Sequence, residues 1–341
     1  MSKRAIRLER VDRFDESMTE IREKSVTDGV DTGRQSVTLF HEYPAGCTGD
    51  QSGSPVSSKR LPEWLKKRVD DSEPVLVLKK MLRERSLHTV CQSAGCPNLS
   101  ECFQKSTATF LILGNTCTRR CGFCGVPKGV PDPPDAGEPL RVAEAVLSLG
   151  LKHAVITSVT RDDLPDGGAG QFAETVKRIR LASPGTTVET LIPDFLGNGE
   201  SVRTVLAGGV DVLNHNVETV PRLYPAVRPQ ADFERSLNIF RLVRREYPAC
   251  LTKSGLMVGL GETRDELQET FRQLAESGCE ALTIGQYLAP SKSALPVREY
   301  VTPADFEAYR DLALNAGLKR VKAGPFVRSS YQAEELIGAE T

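Results

Sequence analysis

The sequence predicts an α/β fold, a partial (β/α)6 TIM-like barrel flanked by an N-terminal and a C-terminal extension. Two observations predict it. Short apolar, β-branched runs alternate with segments of helical periodicity from residue 107 onward. Helical sequence between successive strands favours parallel strands joined by right-handed crossovers. A polar or glycine-rich stretch also accompanies the end of each run: CTRRCGFC, TRDDLPDGG, LIPD, NHNVET, GLGET and QYLAPS. In parallel α/β folds such stretches share one rim, where ligands bind.

Ahead of the first strand, LPEWLKKRV (61–69) has Pro62 suited to a first helical turn. EPVLVLKKMLRERSL (73–87) sets Leu78, Met81, Leu82 and Arg85 at helical spacing, so two short helices are expected. The six strands are TATFLILGN (107–115), HAVITSV (153–159), TTVETLI (186–192), DVLNHNV (211–217), LTKSGLMVG (251–259) and ALTIGQ (281–286). Helical patterns fall between them at 138–149, 171–182, 199–207, 232–246 and 263–277, with another at 303–316. Thr263 and Glu266 have the spacing of a capping box.

The 341 residues leave room for a barrel of roughly 200–250 residues plus extensions. Lys plus Arg number 44 and Asp plus Glu 45, a net charge of -1. No long-range field therefore draws the chain to nucleic acid or to an anionic membrane, and neither is expected as a partner. The first sixty residues lack a signal-peptide pattern, and Glu9, Asp12, Asp15 and Glu16 argue against a transit peptide. A polar, disordered tail over 1–58 and a cytoplasmic location are the expectation.

Clustered cysteines in such a chain point to metal binding or catalysis rather than to disulfides. Six of the nine lie between residues 91 and 124. Cys47, Cys250 and Cys279 have no ligand-like spacing and read as ordinary tail or core positions. Cys117, Cys121 and Cys124 form C-x3-C-x2-C, and Cys91, Cys96 and Cys102 form C-x4-C-x5-C. Structural zinc closes with four protein ligands, usually as paired C-x2-C or with H-x3-H, and His41, His88, His153 and His215 complete no such motif. An iron-sulfur cube fits better, because short spacings let one loop hold three corners. The fourth iron is then open, able to act as a Lewis acid or to hold a chelating substrate.

C-x3-C-x2-C at the end of the first strand of such an array resembles the radical S-adenosylmethionine superfamily. CQSAGCPNLSEC, FLILGNTCTRRCGFCGV, TSVTRDDLPDGGA, TKSGLMVGLGET, GQYLAPS and GPFVRSSY are similar to the successive motifs of the lipoyl synthase family over roughly residues 60–335. That resemblance implies insertion of two sulfur atoms at C6 and C8 of an octanoyl chain on a carrier-protein lysine. It implies a [4Fe-4S] cluster on Cys117, Cys121 and Cys124, its open iron chelated by S-adenosylmethionine, which yields a 5'-deoxyadenosyl radical. It implies a second, auxiliary [4Fe-4S] cluster on Cys91, Cys96, Cys102 and Ser329 as sulfur donor. By residue type alone Ser329 reads as a turn or capping serine; the RSSY motif reverses that, and puts Arg328 beside it in the catalytic set.

The implied partners are octanoylated lipoyl-carrier domains of the 2-oxoacid dehydrogenase E2 component and the glycine cleavage H protein. An electron donor such as flavodoxin or ferredoxin and an iron-sulfur carrier for cluster repair complete the set. The implied organisation is a tail (1–58), an auxiliary-cluster extension (59–106), the radical barrel (107–318) and a C-terminal segment with RSSY (319–341).

Other rim residues carry two readings. Asp162 and Asp163 belong to a solvated loop or, by the resemblance, touch the cofactor. Glu189 sits inside a strand, where a charge needs a partner or an open face. Asn216 and Glu218 suit ribose hydroxyls or strand-end hydrogen bonds. Thr157, Asp163, Glu189, Asn216 and Glu218 are the expected contacts to S-adenosylmethionine. GLMVGLGET resembles the glycine-rich segment packed near adenine. Lys253, Arg228, Arg235 and Arg328 face the acyl-lysine or its carrier, or simply solvent. Gln171 and Ala294 depart from the family pattern, which commonly has histidine at both positions.

Overall fold

A computed structural model describes residues 61–67, 72–104, 108–331 and 333. The expected tail over 1–58 lies outside the described residues, as does Cys47.

Eight strands form one sheet in sequence order: β1 (His88–Thr89), β2 (Thr109–Ile112), β3 (His153–Ser158), β4 (Thr187–Leu191), β5 (Val212–Asn214), β6 (Leu251–Val258), β7 (Ala281–Gln286) and β8 (Arg320–Gly324). β2 to β8 run parallel and β1 pairs antiparallel with β2. Among the described residues no ladder joins β1 to β8, so the barrel is partial.

The six predicted strands and six predicted helices are present. Helices Glu138–Ser148, Ala169–Ala182, Gly199–Leu206, Phe233–Glu246, Arg264–Ser277 and Pro303–Asn315 follow β2 to β7 in turn. Each buries apolar residues in one of two apolar clusters, such as Val142 and Val146 or Leu267, Phe271 and Leu274, except Phe233–Glu246, which contributes to both. Thr263 and Glu266 do close a capping box. No helix among the described residues is long and apolar enough to cross a membrane.

Three local differences from the sequence reading have physical causes. β8 was not anticipated, because RVKAG is short, carries two cations and is only half-buried along its length. The expected helix over 61–69 is a single 3-10 turn, Glu63–Leu65, after which Lys66 returns to extended backbone. β2 stops at Ile112 because Leu113 and Gly114 both adopt positive φ, 67° and 87°.

Register puts Glu189, Asn214 and Lys253 on one face of the sheet, since Leu191 pairs with Asn214 and Asn214 with Lys253. Glu189 is fully buried there. One carboxylate oxygen accepts from Asn214 Nδ2 at 2.7 Å and Lys253 Nζ at 2.9 Å. The other accepts from Lys253 Nζ and His153 Nε2, both at 3.1 Å. Burial would raise the Glu189 pKa, but Lys253 and His153 outweigh it and hold it at about 2.

A folded value below the ordinary 4.5 means that Glu189 stabilises the fold fully above about pH 5 and loses that contribution as pH falls toward 2. Lys253→Met would leave this carboxylate buried without its main counter-ion. Urea unfolding at pH 7 is expected to show a loss of about 3–5 kcal/mol. The deficit should shrink below pH 5; a loss under about 1 kcal/mol at pH 7 would show that His153 alone suffices.

Candidate active site at the rim of the sheet

The loop after β2 is held by backbone bonds to its neighbours. Cys117 N donates to Pro127 O at 2.8 Å, Thr118 N to Thr160 O at 3.1 Å, and Gly122 N to Val227 O at 2.9 Å. A β-carbon at Gly122 would lie 2.9 Å from Leu295 Cγ, so any larger residue there would displace that side chain. Burial pushes the Cys121 thiol up to about 11; the Arg228 charge opposes this, while Cys124 and Glu218 add to it. Burial raises Cys124 too, with Cys117 and Glu218 adding to it. These electrostatic couplings bring Arg228 and Glu218 to the cysteine loop. Metal binding at such thiols releases protons, since only thiolates ligate.

The second triplet lies on two short helices. Cys91 is in Val90–Ser93, Cys102 is in Leu99–Gln104, and Cys96 lies between them. All three line one small cavity, together with Thr109, Arg328, Ser330 and Tyr331. Burial first, then the neighbouring thiols, pushes Cys91 to about 11 and Cys102 to about 12. Three soft thiols and a hydroxyl around one cavity fit an iron-sulfur cluster as a donor set. Among the described residues no three His, Cys, Asp or Glu side chains converge closely enough for a single metal ion.

The C-terminal segment is stapled over this cavity from a distance in sequence. Thr109 Oγ1 donates to Ser330 Oγ at 2.7 Å, Asn98 Nδ2 to Phe326 O at 2.6 Å, and Tyr331 OH to Glu101 Oε1 at 2.8 Å. Lys67 Nζ lies over the Phe326 and Tyr331 rings, 5.1 and 5.5 Å from their centroids.

Residues 111–274 match the radical SAM superfamily. The chain is 55% identical over 275 residues to the lipoyl synthase of Caldanaerobacter subterraneus, covering 81% of this chain and 96% of the relative. The chain belongs to the lipoyl synthase family. The Geobacter metallireducens lipoyl synthase is 56% identical over 279 residues, 82% of this chain and 98% of that one. The solved structure of Streptococcus suis SuiB bound to precursor peptide SuiA overlaps with a TM-score of 0.51 at 10% identity, over 76% of this chain and 56% of that chain. That likeness concerns the fold alone.

In this lipoyl synthase-family chain the expected site residues do not all fall where the sequence suggested. Ser330, not Ser329, lines the auxiliary cavity. Ser329 accepts from Asn214 Nδ2 at 2.7 Å and donates to Asn216 Oδ1 at 2.9 Å, so its hydroxyl is engaged at the end of β5. Arg328 does line the cavity, and its Nη1 donates to Val327 O at 2.7 Å.

Glu189 accepts four hydrogen bonds within the protein, which fills its lone pairs and leaves none for a cofactor. Asp163 is exposed and paired with Arg161 at 2.8 Å, which holds its carboxyl below the usual range. Thr157 Oγ1 donates to Leu191 O at 2.9 Å. Glu218 has φ 66°, a strained value for a non-glycine residue and one that recurs at functional sites. Burial raises its pKa, against Arg228.

Of the other residues weighed, Lys253 pairs with Glu189, Arg235 with Asp194, and Arg228 Nη1 donates to Asn216 O at 2.7 Å. Gln171 Nε2 donates to Glu138 and to Asp135 O, taking up hydrogen bonds behind the rim. Sequence reasoning missed Arg119 and Asp194, an ion pair at 2.6 Å that ties the cysteine loop to the loop after β4. The doubled arginine of CTRRC was the only signal, and it does not say which one turns inward.

Gly285 is where the tail crosses the sheet: a β-carbon there would sit 2.1 Å from Val327 O. Gly285→Ala is expected to lift residues 327–331 off β5 and destabilise the fold by about 1–3 kcal/mol. Hydrogen–deuterium exchange should rise in that segment, whereas unchanged exchange would mean that β7 yields instead.

Proposed function

We propose that this chain inserts sulfur at C6 and C8 of an octanoyl group held on a lysine of a lipoyl-carrier domain. The observation that carries the reading is the arrival of Arg328, Ser330 and Tyr331 at the cavity of Cys91, Cys96 and Cys102. A second three-cysteine site is not needed for cleavage of S-adenosylmethionine alone; it has a use where sulfur must be supplied.

On this reading Cys117, Cys121 and Cys124 would hold one [4Fe-4S] cluster, with S-adenosylmethionine completing its ligand set. The two bound clusters would supply an electron for radical generation and sulfur for insertion, respectively. The protein's own residues do the positioning. Arg228 Nε is buried with no hydrogen-bond partner among the described residues, beside Glu218 and Cys121, and suits the carboxylate of the cofactor. Asn216 and Glu218 suit its polar groups, whereas Thr157 and Asp163 reach it only by giving up present partners.

Cys91, Cys96, Cys102 and the hydroxyl of Ser330 would hold the auxiliary cluster. Oxygen is a weaker ligand than thiolate for such iron, so Ser330 would be the most labile of the four. The reading keeps an auxiliary extension over 59–106, a barrel over 107–318 and a C-terminal segment over 319–341. Carrier domains of the E2 and H-protein types, a flavodoxin or ferredoxin and an iron-sulfur carrier are the partners it calls for. A reducing cytoplasm suits its thiols.

Anaerobic incubation with an octanoyl-lysine peptide, S-adenosylmethionine and dithionite is expected to add two sulfurs to the peptide by mass spectrometry. 5'-Deoxyadenosine without sulfur gain would refute the assignment. Ser330→Ala is expected to lower sulfur insertion at least roughly tenfold and spare S-adenosylmethionine cleavage. Ser329→Ala should cost less insertion than Ser330→Ala; the reverse order would return the ligand role to Ser329.

A further inference from the structure

Resting on the reading of Cys117, Cys121 and Cys124 as cluster ligands, we propose that Arg119, Asp162 and Asp194 are positioning residues that set the reduction potential of that cluster. The loop carries adjacent arginines with opposite fates. Arg120 is exposed, whereas Arg119 is 3% exposed. Arg119 donates Nε and Nη2 to the two oxygens of Asp162 at 2.7 and 2.9 Å, and Nη2 to Asp194 Oδ1 at 2.6 Å. Asp194 is itself buried and also accepts from Arg235 Nη1 and Leu196 N, both at 3.1 Å. One guanidinium thus fastens the cysteine loop to the loops that follow β3 and β4.

The same contact closes a backbone zip. Thr118 N donates to Thr160 O at 3.1 Å and Asp162 N to Thr118 Oγ1 at 3.2 Å. This alignment aims two amides at Cys117 Sγ, Thr160 N at 3.3 Å and Arg119 N at 3.5 Å. Hydrogen bonds to ligand sulfur and the local net charge are main determinants of cluster potential. Reduction adds negative charge, so both the amides and the guanidinium favour the reduced form. Asp194 acts in the other direction, as a buried negative charge, through Arg119.

The two halves of this role can be separated by sign. A clamp that only held the loop would loosen the same amides when cut at either end, and both cuts would lower the potential. A charge-setting clamp responds oppositely. Arg119→Gln removes a cation and is expected to lower the potential. Asp194→Asn removes an anion, while Asp162 still grips the guanidinium by two bonds, and is expected to raise it.

The test uses the full chain reconstituted anaerobically with iron and sulfide. Dithionite titration is followed by electron paramagnetic resonance, reading only the signal that changes when S-adenosylmethionine is added. Arg119→Lys is measured beside Arg119→Gln; it keeps the charge without the two-pronged contact, and its potential should fall by less. An Asp194→Asn potential at or below wild type overturns the proposal, whichever arginine variant retains iron. Absence of any S-adenosylmethionine-responsive signal in the wild-type chain would instead refute the ligand reading beneath it.

Discussion

The carboxylate of Glu189 is the constraint on which the barrel interior depends. It accepts from His153 on β3, Asn214 on β5 and Lys253 on β6, so four adjacent strands share one charge. Asn214 passes the constraint on to Ser329. A buried polar network of this kind is costly to break, and its charged members favour one alignment, although Asn214 Oδ1 has no partner among the described residues. Slipping β4 by one residue would turn Glu189 toward the helices and Thr190 inward, stranding the ammonium of Lys253. Register is thus enforced by chemistry where an all-aliphatic interior would tolerate more slack.

Two glycines, Gly285 on β7 and Gly324 on β8, are register partners. Gly285 lies against Val327 O, and Gly324 against Val327 Cγ2. These glycines let the C-terminal segment cross the sheet and meet the N-terminal extension. The two cysteine sites are consequently built on different principles. The CTRRC loop is fixed by contacts to the barrel rim, at Thr160, Asp162, Asp194 and Val227. The auxiliary cavity is fixed by the two flanks of the chain meeting each other.

How much of this could be read in advance follows from how local each feature is. The strands and helices from β2 to Pro303–Asn315 were legible because β-branched runs and helical periodicity are properties of short windows. The six clustered cysteines were legible because ligand spacing is local as well. β8 was not, since half-burial beside β7 leaves no apolar run to notice. Nor was the choice between Ser329 and Ser330, adjacent serines whose side chains end at different partners once the segment is laid over β5. Glu189 was visible as an anomaly, but its counter-ion, Lys253, is 64 positions away and is defined by register rather than by spacing.

The long reach from Thr109 to Ser330 also orders events during synthesis. These partners are 221 positions apart. At about 5–20 residues per second, the serine is made roughly 11 to 44 seconds after Thr109, and later still after the cysteines it covers. The barrel-rim loop acquires its partners progressively, as Thr160, Asp194 and Val227 are translated. The auxiliary wall has no such intermediate stage. It comes into being only once Phe326, Ser330 and Tyr331 have been made, so the cysteines of that cavity wait for their cover until long after they leave the ribosome.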